Sequence, residues 1–225
     1  MKRILIERKL LDNNPYLLKI RDAVVFETIP DNITGSDILL TSRNNEYIIP
    51  YSYGNNIEGK GEHVLRWGNG CIYNCTYCYV KQINKPYIQM FPDINAIMKE
   101  ISALRSQSPI LLNAGENFDS FILESRIPFC TELISQCSGL DNIQIEFRTK
   151  AIVPDRFIRE FSGTDSDFHV AVSINPEYIR QNIEKKVPPV KSSISNIKKL
   201  IDNGIKTAIR FEPVILVKDH RKIYS

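Results

Sequence analysis

Gly70-Cys71-Ile72-Tyr73-Asn74-Cys75-Thr76-Tyr77-Cys78-Tyr79 carries three of the five cysteines of this 225-residue chain. The spacing C-x3-C-x2-C puts three thiols within eight residues, near enough in the chain to converge on one metal centre. Gly68-Asn69-Gly70 and Asn74 supply the turn chemistry that lets a loop wrap such a centre. A structural zinc ion asks for four ligands, usually as two separated pairs, and here only His63 stands nearby as an extra candidate. A cubane iron–sulfur cluster normally takes four thiolates. One held by three leaves an iron open to a second molecule, which suits catalysis better than structure. Cys130 and Cys137, seven apart on an expected helix, read as buried free thiols.

Outward from the loop, a regular alternation of strand and helix sets in. His63 to Trp67 is a short strand that delivers the chain into the loop. Asp93 caps an expected helix through about Gln107, with Ile94, Ile97, Met98, Ile101 and Leu104 at helical spacing. Pro109 to Asn113 is a buried-type strand, and Phe118 to Cys137 is expected to be largely helical with a break at Pro128. Asn142 to Arg148 alternates apolar and polar residues as a strand does. A short helix at Pro154 to Phe161, a strand at Phe168 to Ile174 and a helix at about 176–185 follow. Ser193 to Asn203 is helical, with Ile194, Ile197, Leu200 and Ile201 on one face and Gly204 as C-cap; Ile205 to Phe211 is the next strand. Five strands joined through helices by short connections mean parallel pairing and right-handed crossovers. Ligands of such folds bind past the carboxyl ends of the strands. That places Cys71 to Cys78, Ala114 to Asn117, Thr149-Lys150, Ser173 to Asn175 and Glu212-Pro213 round one site.

Residues 1–62 read as a small N-terminal α/β extension, and 63–225 as the repeating βα unit. Ile4 to Ile6, Ala23 to Phe26, Asp37 to Thr41 and Tyr47 to Pro50 are short strands, with a brief helix at Tyr16 to Ile20. Gly54 to Gly61 is a polar, glycine-rich connection without the Lys-Ser/Thr ending of a phosphate loop. With 43% hydrophobic and 24% charged residues the chain has an ordinary globular composition. No run of eighteen apolar residues exists, so no membrane partner is expected. Odd, clustered cysteines fit a reducing cytoplasm rather than a secreted disulfide scaffold. The net charge of +3 permits nucleic-acid contact without demanding it, and Lys185-Lys186 and Lys198-Lys199 read as solvated helix faces.

Cys71…Cys75-Thr76-Tyr77-Cys78 resembles the signature of the radical S-adenosylmethionine (SAM) superfamily. The loop with Lys85-Pro86-Tyr87-Ile88, Phe147-Arg148-Thr149-Lys150 and Val172-Ser173-Ile174-Asn175 further resembles the spore photoproduct lyase family. So do Ile6-Glu7-Arg8 and Tyr47 to Pro50. The resemblance implies a partial (βα) barrel of parallel strands, five of six present. It implies a [4Fe-4S] cluster on Cys71, Cys75 and Cys78, with SAM chelated to its open iron. SAM's amine would meet Gly115-Glu116, its carboxylate Lys150, and its ribose or methionine end Ser173 and Asn175. Each of these has a plainer reading: a solvated Lys150, a surface Glu116, and Ser173 or Asn175 as cap of the helix from Pro176. Tyr77 matches the aromatic packed near adenine. Tyr79 matches a tyrosine of a radical relay, and both tyrosines are candidates for catalysis. Implied partners are SAM, an electron donor such as a flavodoxin or ferredoxin, and DNA bearing a thymine photoproduct.

The chain departs from that family in two places. Aligning Asn113 to Asn117 puts Ala114 where the lyase carries its hydrogen-donor cysteine, and an alanine methyl cannot quench a carbon radical. The sequence also stops at Tyr224-Ser225, barely past its fifth strand, which is expected of a fragment, a split product or a reduced barrel. Two alternatives therefore stay open: a radical SAM enzyme acting on another nucleic-acid or small-molecule substrate, and a non-catalytic iron–sulfur or zinc module.

Overall fold

A computed structural model describes residues 3–51, 61–83, 85–104, 110–140, 142–164 and 167–224. The chain builds two sheets. The larger runs β11-β10-β9-β8-β5-β4, from β4 (Ile48–Pro50), β5 (Gly61–Leu65), β8 (Ile110–Asn113), β9 (Ile143–Thr149), β10 (Phe168–Ser173) and β11 (Thr207–Arg210). The five strands from β5 to β11 in this sheet pair in parallel, each beside its predecessor, and β4 closes the other edge antiparallel to β5. This is the expected α/β partial barrel.

Period-2 alternation explains which face holds the core. On β9, Ile143, Ile145 and Phe147 are buried on one face. Phe147 packs on Phe121 and Phe168, and Phe168 packs in turn on Phe157 and Phe161 of the α5 region (α5, Asp155–Glu160). The opposite face of β9 carries Gln144, Glu146 and Arg148. In register with Glu146 stand Asn113 on β8 and His169 on β10. The helices thus cover an aromatic outer face, while the concave inner face is polar.

The smaller sheet runs β2-β1-β3-β7-β6, from β1 (Ile4–Glu7), β2 (Ala23–Phe26), β3 (Ile38–Leu40), β6 (Gly68–Asn69) and β7 (Ile88–Met90). Residues before 62 contribute β4 to the larger sheet, and residues after it contribute β6 and β7 to the smaller one. Ile4, Ile38, Leu40 and Met90 are fully buried and join the same core as the barrel strands. β6 and β7 precede and follow the cysteine loop in the chain, so the smaller sheet holds both ends of that stretch.

Most expected elements form, at slightly different bounds. α3 (Ile94–Leu104) starts where Asp93 Oδ1 accepts from the Ala96 N–H at 3.1 Å, and Asn14 Oδ1 accepts from the Ile94 N–H at 2.9 Å. Its expected extension to Gln107, Pro109 of the next strand, and residues 54–60 of the glycine-rich connection lie outside the described residues. α1 (Arg8–Asn13) was not expected, and Pro15–Lys19 is a 3-10 turn. Two expectations fail. Residues 118–127 form a bridge and turns rather than a helix, and α4 spans only Phe129–Cys137. Tertiary contacts take that first segment: Ser120 N–H donates to Arg148 O at 3.1 Å and Phe118 bridges Gly70. The buried Glu124 then accepts from the Cys130 and Thr131 N–H groups at 2.9 Å each and so caps α4. On α7 (Val190–Asp202), Ile194 and Ile201 are both 56% exposed, whereas Ser193, Asn196, Ile197 and Leu200 are buried. Asn196 turns the face inward because its amide bonds both the N–H and the C=O of Val153. Among the described residues, no helix is long and apolar enough to cross a membrane.

Candidate functional site

Trp67 anchors the cysteine loop. It is 1% exposed, stacks on Phe129 with ring centroids 4.1 Å apart and meets Phe118 edge-on at 4.8 Å. Its indole N–H donates to Ala114 O at 2.6 Å, which ties the strand before the loop to the end of β8. Three residues on, Gly70 adopts φ +100°, a left-handed conformation open to glycine, and its N–H donates to Asn117 O at 3.2 Å. Asn74 also lies in the left-handed region, at φ 53°, as an asparagine in a tight turn can. The Cys78 N–H donates to Cys75 O at 3.1 Å, closing the loop into the one-turn helix α2 (Val80–Ile83).

Cys71, Cys75 and Cys78 form a wall between two cavities. The inner one, about 390 Å³, lies at the carboxyl ends of the parallel strands; besides the three cysteines it is lined by Tyr77, Tyr79, Gly115, Glu116, Lys150 and Ser173. The sequence had spread these residues over a hundred positions. The outer one, about 330 Å³, opens on the other side of the loop, between Tyr87 and the exposed Lys81, Lys85 and Lys186. Both volumes suit a cofactor-sized ligand. Among the described residues, no three His, Cys, Asp or Glu side chains are placed to hold a single metal ion. Three soft thiols spread round a cavity fit a cluster gripped at its corners. Burial pushes the Cys71 thiol up to about 12, with the charge of Asp119 adding to it, and burial raises Cys75 as well. The Lys150 charge and a Tyr77 hydrogen bond work the other way at Cys75 without outweighing burial, and a bound metal would favour the thiolates further. Cys130 and Cys137 lie on α4, with Cys130 buried and donating to Ser120 O at 3.1 Å.

The remaining expected residues differ in their freedom. Tyr79 is 46% exposed, and its hydroxyl lies 3.1 Å from Glu116 O, 3.3 Å from Glu116 Oε1 and 3.0 Å from Asn117 Oδ1. Burial, with the Glu116 carboxylate, pushes its phenol up to about 12. Lys150 Nζ donates to Glu212 O at 3.0 Å and pairs with Glu184 at 3.1 Å. Asn175 stands apart: it is 2% exposed and does not line the cleft. Its amide donates to Glu184 at 2.9 Å and its carbonyl accepts from the Tyr224 hydroxyl at 2.9 Å. Neither Ser173 nor Asn175 caps α6 (Glu177–Asn182), whose N-cap is Pro176 with no side-chain bond.

Three residues of the site were not read from the sequence. Asp119 lines the cleft and accepts from Thr149 Oγ1 at 2.7 Å and the Lys150 N–H at 2.6 Å, fixing the backbone from which Lys150 projects. Arg148 lines the same wall and bonds Glu146 at 2.9 Å. Glu184, behind the cleft wall, directly precedes Lys185-Lys186, which reads as a solvated helix face, and the sequence marks it only by the Val187-Pro188-Pro189 break that follows.

Gly115 is required by packing. A Cβ there would sit 2.4 Å from Arg148 Cβ and 2.9 Å from Arg148 O, and backbone on a paired strand cannot yield cheaply. Gly115→Ala should cost about 1–3 kcal/mol in a denaturant melt. It should also displace the neighbouring Glu116 from its contact with the Tyr79 hydroxyl. An unchanged melt would show that the β8 and β9 ends separate freely.

A sequence profile of the radical SAM superfamily matches residues 65–217. An uncharacterized protein of Methanocaldococcus jannaschii is 28% identical over 120 residues, covering 53% of this chain and 40% of that protein, so the match spans under half of the relative's length. Spore photoproduct lyase complexed with dinucleoside spore photoproduct superposes with a TM-score of 0.79 at 14% identity, over 99% of this chain and 71% of that one. A mutant of the lyase with bound AdoMet and dinucleoside spore photoproduct gives 0.80 at 14% identity, over 99% and 71% of the two chains. At such identities the likeness is one of fold.

Proposed function

The chain belongs to the radical SAM superfamily, and from that premise we propose that its inner cleft is where SAM is split to start hydrogen-atom abstraction from a substrate. The family's cofactors are a [4Fe-4S] cluster and SAM, and the donor set here fits both. The observation that carries the reading is the single cleft of about 390 Å³ in which the three thiols meet Gly115, Glu116, Lys150 and Ser173.

When bound, the cluster supplies the electron that splits SAM's sulfonium into methionine and a 5′-deoxyadenosyl radical. The residues of the chain bind and orient. Lys150 offers its ammonium to the SAM carboxylate, held at the wall by Glu212 O and Glu184. Glu116 and the backbone at Gly115 take the amine, and the Ser173 hydroxyl takes the ribose or methionine end. Tyr77 stands between the last two thiols as the aromatic for adenine. Tyr79 presents a phenol at the cleft, steadied by Glu116 and Asn117, as the candidate relay to substrate. An electron donor such as a flavodoxin or ferredoxin would supply the cluster's electron.

The finer reading is lyase-type repair of a thymine photoproduct in DNA, supported by the fold shared with that lyase. One observation favours a second reading, another nucleic-acid or small-molecule substrate. Ala114 is fully buried, its carbonyl taken by Trp67 and by Ser120 Oγ at 3.2 Å, and it does not line the cleft. The thiols lining the cleft are the three loop cysteines alone among the described residues.

The test is anaerobic reconstitution with iron and sulfide, then reduction with dithionite and SAM. The proposal expects 5′-deoxyadenosine release. Zinc in place of iron, with no release, would support the non-catalytic module instead. Adding dinucleoside spore photoproduct separates the two substrate readings: thymidine formation supports repair, and release without repair supports the other substrate.

A further inference from the structure

Glu184 is buried at 1% exposure, and one of its oxygens, Oε1, gathers three donors from three parts of the fold. The Tyr77 hydroxyl of the cysteine loop donates to it. Asn175 Nδ2, past the end of β10, donates to it at 2.9 Å. Lys150 Nζ, past the end of β9, lies 3.1 Å from it. The neighbouring Ile183 O accepts from the Thr76 N–H at 3.0 Å and from Thr76 Oγ1 at 3.2 Å. Thr76-Tyr77, the two residues between Cys75 and Cys78, are therefore clipped residue for residue onto Ile183-Glu184.

Local structure delivers the carboxylate inward. α6 stops at Asn182, the Ile183 and Glu184 N–H groups both return to Ile179 O at 2.8 and 3.2 Å, and the Val187 N–H closes onto Glu184 O at 2.8 Å. Pro188-Pro189 then prevents the helix from continuing. A buried carboxylate is expensive unless a cation meets it, and a neutral side chain could fasten Tyr77 and Asn175 at lower cost. The need for a charge lies with Lys150.

We propose that Glu184 is the positioning residue that couples the cysteine loop to the SAM-carboxylate lysine. It does not line the cleft. It acts through Lys150, whose ammonium it holds at the wall, and through Tyr77, which it pins beside Cys78. The proposal rests on Lys150 meeting the SAM carboxylate as set out above.

A double-mutant cycle read by SAM binding, measured by equilibrium dialysis on cluster-loaded protein, tests it. Iron content and a thermal melt first establish that each variant is folded and loaded. Lys150→Met should weaken SAM binding by about ten- to hundredfold, the range for losing a charged hydrogen bond. Glu184→Gln should weaken it by about tenfold in the wild-type background and by less than about twofold in the Lys150→Met background. A structural role would lower affinity equally in both, and that additivity would overturn the proposal, as would wild-type affinity in Glu184→Gln. If Glu184→Gln does not load, Glu184→Asp keeps the charge one methylene short and goes through the same cycle, with the same non-additive pattern expected. Failure of both to fold makes the carboxylate a requirement of the fold and overturns the positioning role. A wild-type protein that takes the cluster and binds no SAM brings down the proposed function itself, whereas SAM binding with an additive cycle brings down only the role of Glu184.

Discussion

Cys75→Ala should leave a folded chain without its cluster. Cys75 is the central thiol of the loop, 6% exposed, between Cys71 and Cys78 on the wall of the inner cleft. Its loss leaves two thiols, and a cubane that normally needs four ligands and has three here cannot spare another. After anaerobic reconstitution, iron should fall from about four per chain to near background, with the visible shoulder lost. Deoxyadenosine release should fall with it. The fold should persist, because hydrogen bonds at Trp67, Gly70 and Ile183 tie the loop to the rest of the chain. Cys130→Ala is the matched control: that thiol is buried, bonded to Ser120 O, and lines neither cavity of the loop, so its iron content should stay at the wild-type level. A Cys75→Ala protein with the same cluster that still cleaved SAM would remove the loop from the reaction.

How legible the molecule is in its sequence depends on where each signal comes from. The five parallel strands could be read because apolar runs bounded by turns recur with helical periods between them, and both signals are local. The cleft followed from topology, since strand ends of a parallel sheet share one side. Residues 118–127 carry a helical signal but do not form a helix, because their backbone pairs with Gly70 and Arg148 and Phe118 and Phe121 pack on Trp67, Phe147 and Phe157, all remote in sequence. Ile194 and Ile201 were misread as core because Asn196, a polar residue bonded to the Val153 backbone, sets the buried face of α7 instead. Glu184, Asp119 and Glu146 share a reason for being missed. A charged residue reads as solvated until the fold supplies its partner: Lys150 for Glu184, Thr149 for Asp119, and for Glu146 both Arg148 on its own strand and Arg210 on β11.

Those arginines define the second large expectation, a loss of stability on Glu146→Gln that fades in acid. Glu146 has 1% of its side chain exposed on the inner face of β9. It bonds Arg148 at 2.9 Å, bonds Arg210, and lies 3.6 Å from His169 Nε2. Burial works against its charge, but hydrogen bonds from His169 and Arg148 and the charges of Arg148 and Arg210 outweigh it, holding the carboxyl down to about 2 from the usual 4.5. Arg148 keeps Glu62 at 3.6 Å and Arg210 keeps Glu212 at 2.8 Å, but their Nε atoms are already buried without a hydrogen-bond partner among the described residues, so losing Glu146 strips each guanidinium of its buried carboxylate. Removing one member of a buried ionic network costs about 3–5 kcal/mol. The lower end applies because Arg148 and Arg210 keep 20% and 30% of their side chains in solvent. Against a total of about 5–15 kcal/mol, a loss of about 3 kcal/mol should lower the melting temperature at neutral pH by roughly 6–12 °C. The sign with pH follows from the depressed value. The folded state holds this proton less tightly than the unfolded state, so the stabilisation is complete above about 4.5 and drains away as pH falls towards 2. In wild type the acid limb should therefore be steep between about pH 4.5 and 2, and in Glu146→Gln shallower. Thermal melts of the two proteins should converge as pH approaches 2, where the native carboxyl is itself becoming neutral. A gap that stayed constant down to that pH would assign the loss to packing, and the inner face of the barrel would then owe nothing to its charges.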